Sequence, residues 1–433
     1  MIYLLVISLL LLTIISYAIN KKELIAPSFV FSASFLFSSI WAFAFRNEWM
    51  LETFHKETFF VITGGVLLFM IVSWIVKHFT KSINKITVNI PTEIKISGVI
   101  KFICIIFSIF SIIFILGSVI KAVGYSWNNI FEAIERYDHL SKFSNQGIGI
   151  SKIATVLRYI LIALSYWYLY IFINNIIVSK KTDFASVLIV FLGLIGSMIT
   201  GGRNGAINIV ISSLAFIFLI LYKYGKGTIN ISRKSKIIIL MIPVLILVAF
   251  PKLTSLVGRN VSTTSTYYLA IYCGAEIKNL DTFISEYGTT INPNKKNMTF
   301  RNFNSWMGPK LGYTEPYKYD LPFRSINDYS LGNVYTTFYA YIYDYGYVGM
   351  IVLVSIMSII LQSIYEKCKR VKMSNAPNMS ILLYGYMFSS IVLSFFSNKF
   401  YEQNFNSSLF YCIVLWFIFN RVLIITYKKN NRG

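Results

Sequence analysis

The sequence predicts an all-α polytopic membrane protein, and three observations predict it. Of 433 residues, 56% are hydrophobic and only 13% charged, with a mean hydropathy of +0.62. A soluble domain averages about 45–50% apolar and about 25% charged. Apolar runs near the length of a bilayer crossing recur along the chain, and such a crossing takes about 20 residues as a helix. Finally, the 40 Lys and Arg far outnumber the 18 Asp and Glu, and the basic excess gathers in alternate short linkers. Disorder, a collagen repeat and a disulfide scaffold are excluded by this composition, and a soluble enzyme does not fit it.

The runs lie at 2–19, 24–45, 59–79, 98–120, 153–178, 184–200, 205–222, 237–255, 346–364, 379–397 and 408–427. They predict about eleven spans. Backbone groups in lipid must be paired, so each run is expected as a helix, and no alternating ten-residue strands of a barrel occur. The first run lacks a basic leader and a cleavage signal, and Lys21 and Lys22 follow it. It reads as an uncleaved helix with its N-terminus outside. The inside linkers are then 20–23, 77–101, 179–183, 223–236, 365–378 and 428–433, and the C-terminus is inside. These linkers hold most of the net +22, so the basic excess orients the chain and does not mark a nucleic-acid partner. The long outside linkers are 121–152 and 256–345. The second, about 90 residues, is long enough to be expected functional. Within it, Tyr267–Ile284 has amphipathic helical spacing suited to the interface. No repeat or separate soluble core is evident, and residues 1–433 read as one transmembrane domain.

Cysteines and histidines carry no motif. Cys104, Cys273, Cys368 and Cys412 form no CxxC, and His55, His78 and His139 lack ligand spacing. The histidines read as loop or interfacial residues, and no metal or cofactor is expected.

Three polar groups stand out. Gly201-Gly202-Arg203-Asn204-Gly205 is a tight turn between apolar helices. Glycines allow close backbone approach, and an arginine fork suits phosphate oxygens, whereas the bland alternative is an arginine reaching for headgroups. The segment Asn333-Val334-Tyr335-Thr336 runs on to Asp344-Tyr345-Gly346 and Gly349 at the head of the ninth run. Asp344 there is a candidate base, or acceptor, for a sugar hydroxyl, and the bland alternative is an aromatic belt with a capping acid. The long loop adds Arg259, Glu276, Asp281, Arg301, Glu315, Asp320, Arg324 and Asp328 among Trp306 and many tyrosines. Rings with scattered polar groups suit carbohydrate, although a solvated loop explains each residue singly. There is no P-loop and no GxGxxG. An outward site has no cytoplasmic nucleotide, so its donor must already be activated; a polyprenyl-diphosphate sugar is such a donor, and arginines stabilise its leaving group.

In the Gly201–Gly205 turn, the aromatic segment Tyr267–Ile284 and the Asn333–Gly349 segment, and in the layout between them, the second half of the chain resembles the O-antigen polymerase (oligosaccharide repeat-unit polymerase, Wzy-type) family. Tyr345 stands where that family usually has Phe. The resemblance implies a GT-C-like glycosyltransferase at the periplasmic face of the bacterial inner membrane, joining undecaprenyl-diphosphate-linked oligosaccharide repeat units into O-antigen or capsular polysaccharide. Residue by residue it reaches Arg203, the Asn333–Thr336 group and Asp344; on this reading Arg203 and Arg259 are assigned to the donor diphosphate, with Gly201, Gly202, Asn204 and Arg324 as further binding candidates. Asp344 would serve the acceptor hydroxyl, and Asn333, Tyr335 and Thr336 would line the sugar path. Membrane lipids and a chain-length regulator are its further expected partners. The alternatives are a flippase for the same lipid-linked sugars, against which no two-fold repeat is seen, and an O-antigen ligase, whose expected loop histidine is missing from 256–345.

Overall fold

The computed structural model describes residues 1–83, 90–143, 148–225, 264–287, 298–312 and 321–430. Its helices are α1 Ile2–Ile19, α2 Pro27–Ala44, α3 Lys56–Ile83, α4 Gly98–Val123, α5 Ile130–Phe143, α6 Lys152–Ser179, α7 Phe184–Met198 and α8 Asn204–Tyr224. After these come α9 Ser265–Cys273, α10 Ala275–Glu286, α11 Arg301–Met307, α12 Thr337–Arg370, α13 Met379–Val392, α14 Lys399–Asn404 and α15 Ser407–Asn430. One antiparallel hairpin, β1 Arg324–Ile326 with β2 Tyr329–Gly332, precedes α12.

Eight helices among the described residues are long and apolar enough to cross a membrane: α1, α2, α3, α4, α6, α8, α12 and α15. The shorter apolar helices α7 and α13 match two more of the expected runs. The expected run 237–255 lies outside the described residues. The protein is thus an all-α polytopic membrane protein, with one small hairpin among the described residues. Its outer faces agree with that class. Leu4, Ile7, Leu11 and Ile14 of α1, and Phe102, Ile103, Ile106 and Phe110 of α4, are all more than half exposed. Side chains of this kind face lipid tails at no cost, whereas water would make each one expensive.

The chain forms two units, interleaved in sequence: 1–85, 262–366 and 389–406, then 86–261, 367–388 and 407–433. In the first unit α1 packs on α2 and α3, and α2 also meets α9 and α10. Serines make α2 thin: Ser28, Ser32, Ser34, Ser38 and Ser39 are buried, and Ser32, Ser34 and Ser39 return their hydroxyls to their own helix. Small residues of this kind let membrane helices approach closely. A polar knot closes the α1 C-terminus. Asn20 donates to Ser16 O and Ser28 Oγ, and Lys77 Nζ donates to Ile19 O and Asn20 Oδ1. The lysine thereby satisfies carbonyls that the helix end leaves open.

In the second unit α6 is the central helix, packed against α4, α7, α8 and α15. Its buried rings Tyr166, Trp167, Tyr168 and Tyr170 need polar partners or a close fit. Trp167 Nε1 finds Asn420 Oδ1 at 2.8 Å, and Trp416 Nε1 finds Ala163 O at 2.9 Å. Gly193 and Gly196 let α7 lie directly on α6, since a Cβ on Gly193 would fall 1.5 Å from Ser165 Oγ. Asn174 and Asn175 hold the segment around Thr92–Ile94 onto α6 by main-chain hydrogen bonds, so an expected inside linker is a tethered strap.

The linker 121–152, expected as a loop, contains α5. Its Ile134 and Tyr137 join Ile115, Val119, Ala154, Leu157, Leu161 and Ile199 in one apolar cluster. The loop 256–345 is also organised where it is described. The amphipathic segment Tyr267–Ile284 is two helices, α9 and α10, meeting at Gly274, whose Cα lies against the Trp41–Ala42 backbone of α2. Instead of floating at an interface, α10 is buried, down to its polar residues Glu276, Lys278, Asn279 and Asp281.

Candidate functional site

The Gly201–Gly205 turn belongs to the second unit. Gly201 N–H donates to Met198 O at 2.8 Å, and its φ of +79° is the left-handed conformation that suits glycine. A Cβ there would lie 2.2 Å from Asp138 Cβ, so α5 rests directly on the turn. Gly205 is also packed, with Ser197 Cβ 2.9 Å from a Cβ built on it, whereas Gly202 has open space. Arg203 is the N-cap residue of α8 and only 7% exposed; Asn204 beside it is exposed. A buried guanidinium therefore stands at a helix end whose first N–H groups have no acceptor within the helix and carry partial positive charge.

A second arginine, Arg158 of α6, was not singled out by any motif. Its Nε is buried with no hydrogen-bond partner among the described residues. It sits beside Tyr137, the α5 residue next to Asp138. Burial pushes the Tyr137 phenol up, against the opposing pull of the Ile150 N–H and the Arg158 charge. Arg259, the other arginine expected on the diphosphate, lies outside the described residues.

The other expected site residues belong to the first unit. Arg324 of β1 is not an open anion receptor. It pairs through both terminal nitrogens with Glu286 of α10, and its Nε donates to Tyr335 OH at 3.3 Å. The Glu286 hydrogen bonds, outweighing burial, raise the Arg324 pKa further and hold its charge in place. Tyr335 OH donates in turn to Pro322 O at 2.9 Å. Asn279 of α10 donates to Leu331 O and Val334 O, fixing the bend that leads into α12. Asn333 is half-buried in this bend, and Thr336 is buried with its hydroxyl unpartnered among the described residues.

Asp344 is 2% exposed and clips a neighbouring segment onto α12. Its Oδ1 accepts from Met298 N–H at 3.1 Å and its Oδ2 from Thr299 N–H at 2.6 Å. Thr299 is held further by its own hydroxyl on Ala340 O and by Asn398 on its carbonyl. Both oxygens expected to serve a sugar hydroxyl thus also accept backbone amides. Two residues on, Gly346 interrupts α12 with φ +67° and ψ −169°, a region open essentially to glycine alone. The tyrosines of this segment form a helical stripe. Tyr335, Tyr339 and Tyr343 meet ring to ring in succession, the first pair tilted and the second stacked, with Phe283 of α10 against Tyr339 and Tyr287 against Tyr347. The inner rings are packing, and only the outer Tyr345 and Tyr347 are 42% exposed.

Two ionisable groups on α10 complete the first unit. Glu276 is fully buried, and neither carboxylate oxygen has a hydrogen-bond partner among the described residues. Burial pushes its pKa well above the usual carboxylate range. Asp281 is also fully buried but well served. Its Oδ1 accepts from His55 N–H at 3.0 Å and from Thr58 Oγ1 at 2.7 Å, and its Oδ2 meets His55 Nδ1 at 3.1 Å. Lys278 Nζ lies 3.9 Å from that same oxygen and donates to Met50 O. The sequence hides this pairing, because 226 positions separate its two partners.

No group of three or more His, Cys, Asp and Glu suited to a metal occurs among the described residues. No known protein family, curated protein or solved structure matches the chain.

Proposed function

We propose that the chain is a membrane glycosyltransferase that polymerises undecaprenyl-diphosphate-linked oligosaccharide repeat units into O-antigen or capsular polysaccharide. The observation that carries this reading is the α7–α8 turn. Gly201 is forced into a left-handed bend under Asp138, and a buried Arg203 opens α8. An arginine fork beside the amide-bearing start of a helix suits the oxygens of a lipid diphosphate at membrane depth. Arg203 and the first-turn amides of α8, with Gly202 and Asn204 bordering them, would hold the diphosphate and stabilise its charge as it leaves. Arg259 is kept in the same role by its place in the sequence. Arg324 is reassigned to positioning, since Glu286 already answers its charge.

Asn333, Tyr335 and Thr336, in the bend 333–336 of the first unit, are kept as candidate sugar contacts by their place in the sequence. Asp344 is assigned the job of holding residues 298–299 beside α12. The membrane is the bacterial inner membrane, with the N-terminus and the 256–345 segment on the periplasmic side. A chain-length regulator is the expected protein partner.

The test is the glycan ladder of a cell lacking the gene and complemented in trans. Wild type restores the ladder. Arg203→Ala is expected to leave single repeat units on lipid A core, with protein levels unchanged. A full ladder from Arg203→Ala rejects the diphosphate role. Complete absence of repeat units on the core in the uncomplemented cell would point to a flippase or ligase.

A further inference from the structure

We infer that the first unit holds a site for one monovalent cation of the sodium class, built from Glu276, Asn279, Ser38, Thr336 and Ser397; the inference goes beyond the polymerase reading and does not depend on it. Both carboxylate oxygens of Glu276, the amide oxygen of Asn279 and the hydroxyls of Ser38, Thr336 and Ser397 have no hydrogen-bond partner among the described residues. None of these residues is more than 7% exposed. Buried polar groups are nearly always paired, so a set of orphans in one unit requires an explanation. Their positions converge. Gly274, at the junction of α9 and α10, lies against Trp41 and Ala42 of α2, one turn from Ser38. Glu276 and Asn279 follow three positions apart, on one face of α10. The Asn279 amide nitrogen holds Leu331 O and Val334 O, which brings the bend bearing Thr336 to α10. Thr337 N–H donates to Ser394 O at 2.9 Å, which joins that bend to the turn ending at Ser397. The same turn meets α2 and α9, through Phe395 on Phe37 and Phe396 on Tyr272.

The chemistry of the orphans identifies the ligand. Every one is an oxygen, which suits a hard cation and not a soft metal. Only one is a carboxylate, so the set answers a single positive charge. The α9 helix also ends at Cys273, close to Glu276, and the partial negative charge of a helix C-terminus favours a cation. The ionisable groups on the surrounding elements are engaged elsewhere or neutral. Residues 27–44 of α2 include none. On α10, Lys278 donates to Met50 O, Asp281 serves His55 and Thr58, and Glu286 pairs with Arg324. In the bend, Tyr335 OH bonds Pro322 O. After the turn, Lys399 lies 3.8 Å from Glu402. The Cys273 thiol is pushed up by burial and by Glu276. Without the cation Glu276 keeps its proton, as its burial requires. When the cation binds, the carboxyl O–H breaks, the proton passes to solvent and the carboxylate pairs with the ion.

The test uses full-length protein in detergent, in sodium chloride or in choline chloride at equal ionic strength. Sodium should raise the melting temperature of wild type saturably, and choline should not. In weakly buffered, mildly alkaline solution, sodium should also release up to about one proton per chain. Glu276→Gln, which has no proton to exchange and no charge to offer, should show neither effect. Ser38→Ala, which removes one oxygen at the α2 side, should need about fivefold or more sodium for the same shift. If wild type melts alike in the two salts, or if Glu276→Gln keeps the sodium shift, the oxygens are served by water alone and the inference is overturned. Should Glu276→Gln not fold, Ser38→Ala decides: a raised sodium midpoint supports the site, and an unchanged one overturns it.

Discussion

Glu276 is the residue whose chemistry the fold constrains most. It opens α10 fully buried, and its two oxygens meet no donor among the described residues. Ionising it there would cost several kcal/mol, so it folds as the neutral acid. The sign of the consequence follows from proton counting. Its folded pKa is raised above the unfolded value near 4.3. Above that value the unfolded chain releases a proton that the native state keeps. The stabilising share of this group is therefore complete below about pH 4.3 and is lost as pH rises toward the folded pKa, at up to about 1.4 kcal/mol per pH unit. Glu276→Gln, neutral at every pH, should escape that slope. Thermal melts in detergent between pH 5 and 8 should show the variant gaining on wild type as pH rises; parallel curves would mean that Glu276 is ionised in the fold. Asp281, one turn further on, shows the opposite arrangement, since its neighbours supply the donors that Glu276 lacks.

At the scale of the element, the α7–α8 turn is a packing device before it is a binding device. Gly201 is needed twice over, for its φ of +79° and for the space taken by Asp138. Gly201→Ala should cost about 2 kcal/mol or more, from backbone strain plus a clash that α5 must move to relieve. Gly202→Ala, which meets nothing within 4 Å, should melt close to wild type. If both melt alike, the close seat of α5 on the turn is wrong. The turn was legible in the sequence because glycines and an arginine between apolar runs break a strong pattern. Arg158 was not, since one arginine inside an apolar run changes hydropathy little. The long loop misled for another physical reason. Its helices α9 and α10 are short and carry Glu276, Lys278, Asn279 and Asp281, and a polar helix is expected outside. Here Lys278, Asn279 and Asp281 are buried because they bond to main chain and side chains from distant segments: Lys278 to Met50, Asn279 to 331–334, and Asp281 to 55–58. Such pairings have no local signature. The tyrosines of 335–347 look like sugar platforms in the sequence, but the inner ones pack ring against ring in a seam at helical spacing.

At the scale of the whole molecule, the basic excess does two jobs that composition alone cannot separate. Lys77 and Lys223 come from linkers assigned to the inside by charge. Lys77 donates to Ile19 O, and Lys223 donates to Lys369 O and Val371 O at 2.7 Å, so each closes a helix C-terminus within its own unit. Such ammonium groups favour helix ends through the macrodipole as well as setting orientation. Others remain available for orientation alone: Lys181 reaches Glu93 only at 4.0 Å and is largely exposed. If charge orients the chain, the loop with Lys180 and Lys181 is cytoplasmic and the α4–α5 linker is not. The native cysteines suit a direct test, because Cys104, Cys273, Cys368 and Cys412 are all buried and free. Cysteines placed at exposed Ser126 or at Lys181 should then report alone. In intact cells, a membrane-impermeant maleimide should label Ser126→Cys and leave Lys181→Cys untouched until the membrane is opened. The reverse pattern would invert the chain and place the Arg203 turn on the cytoplasmic side. A lipid-linked donor already carried across the membrane could not reach it there, so the orientation test bears on the chemistry as directly as it bears on the fold.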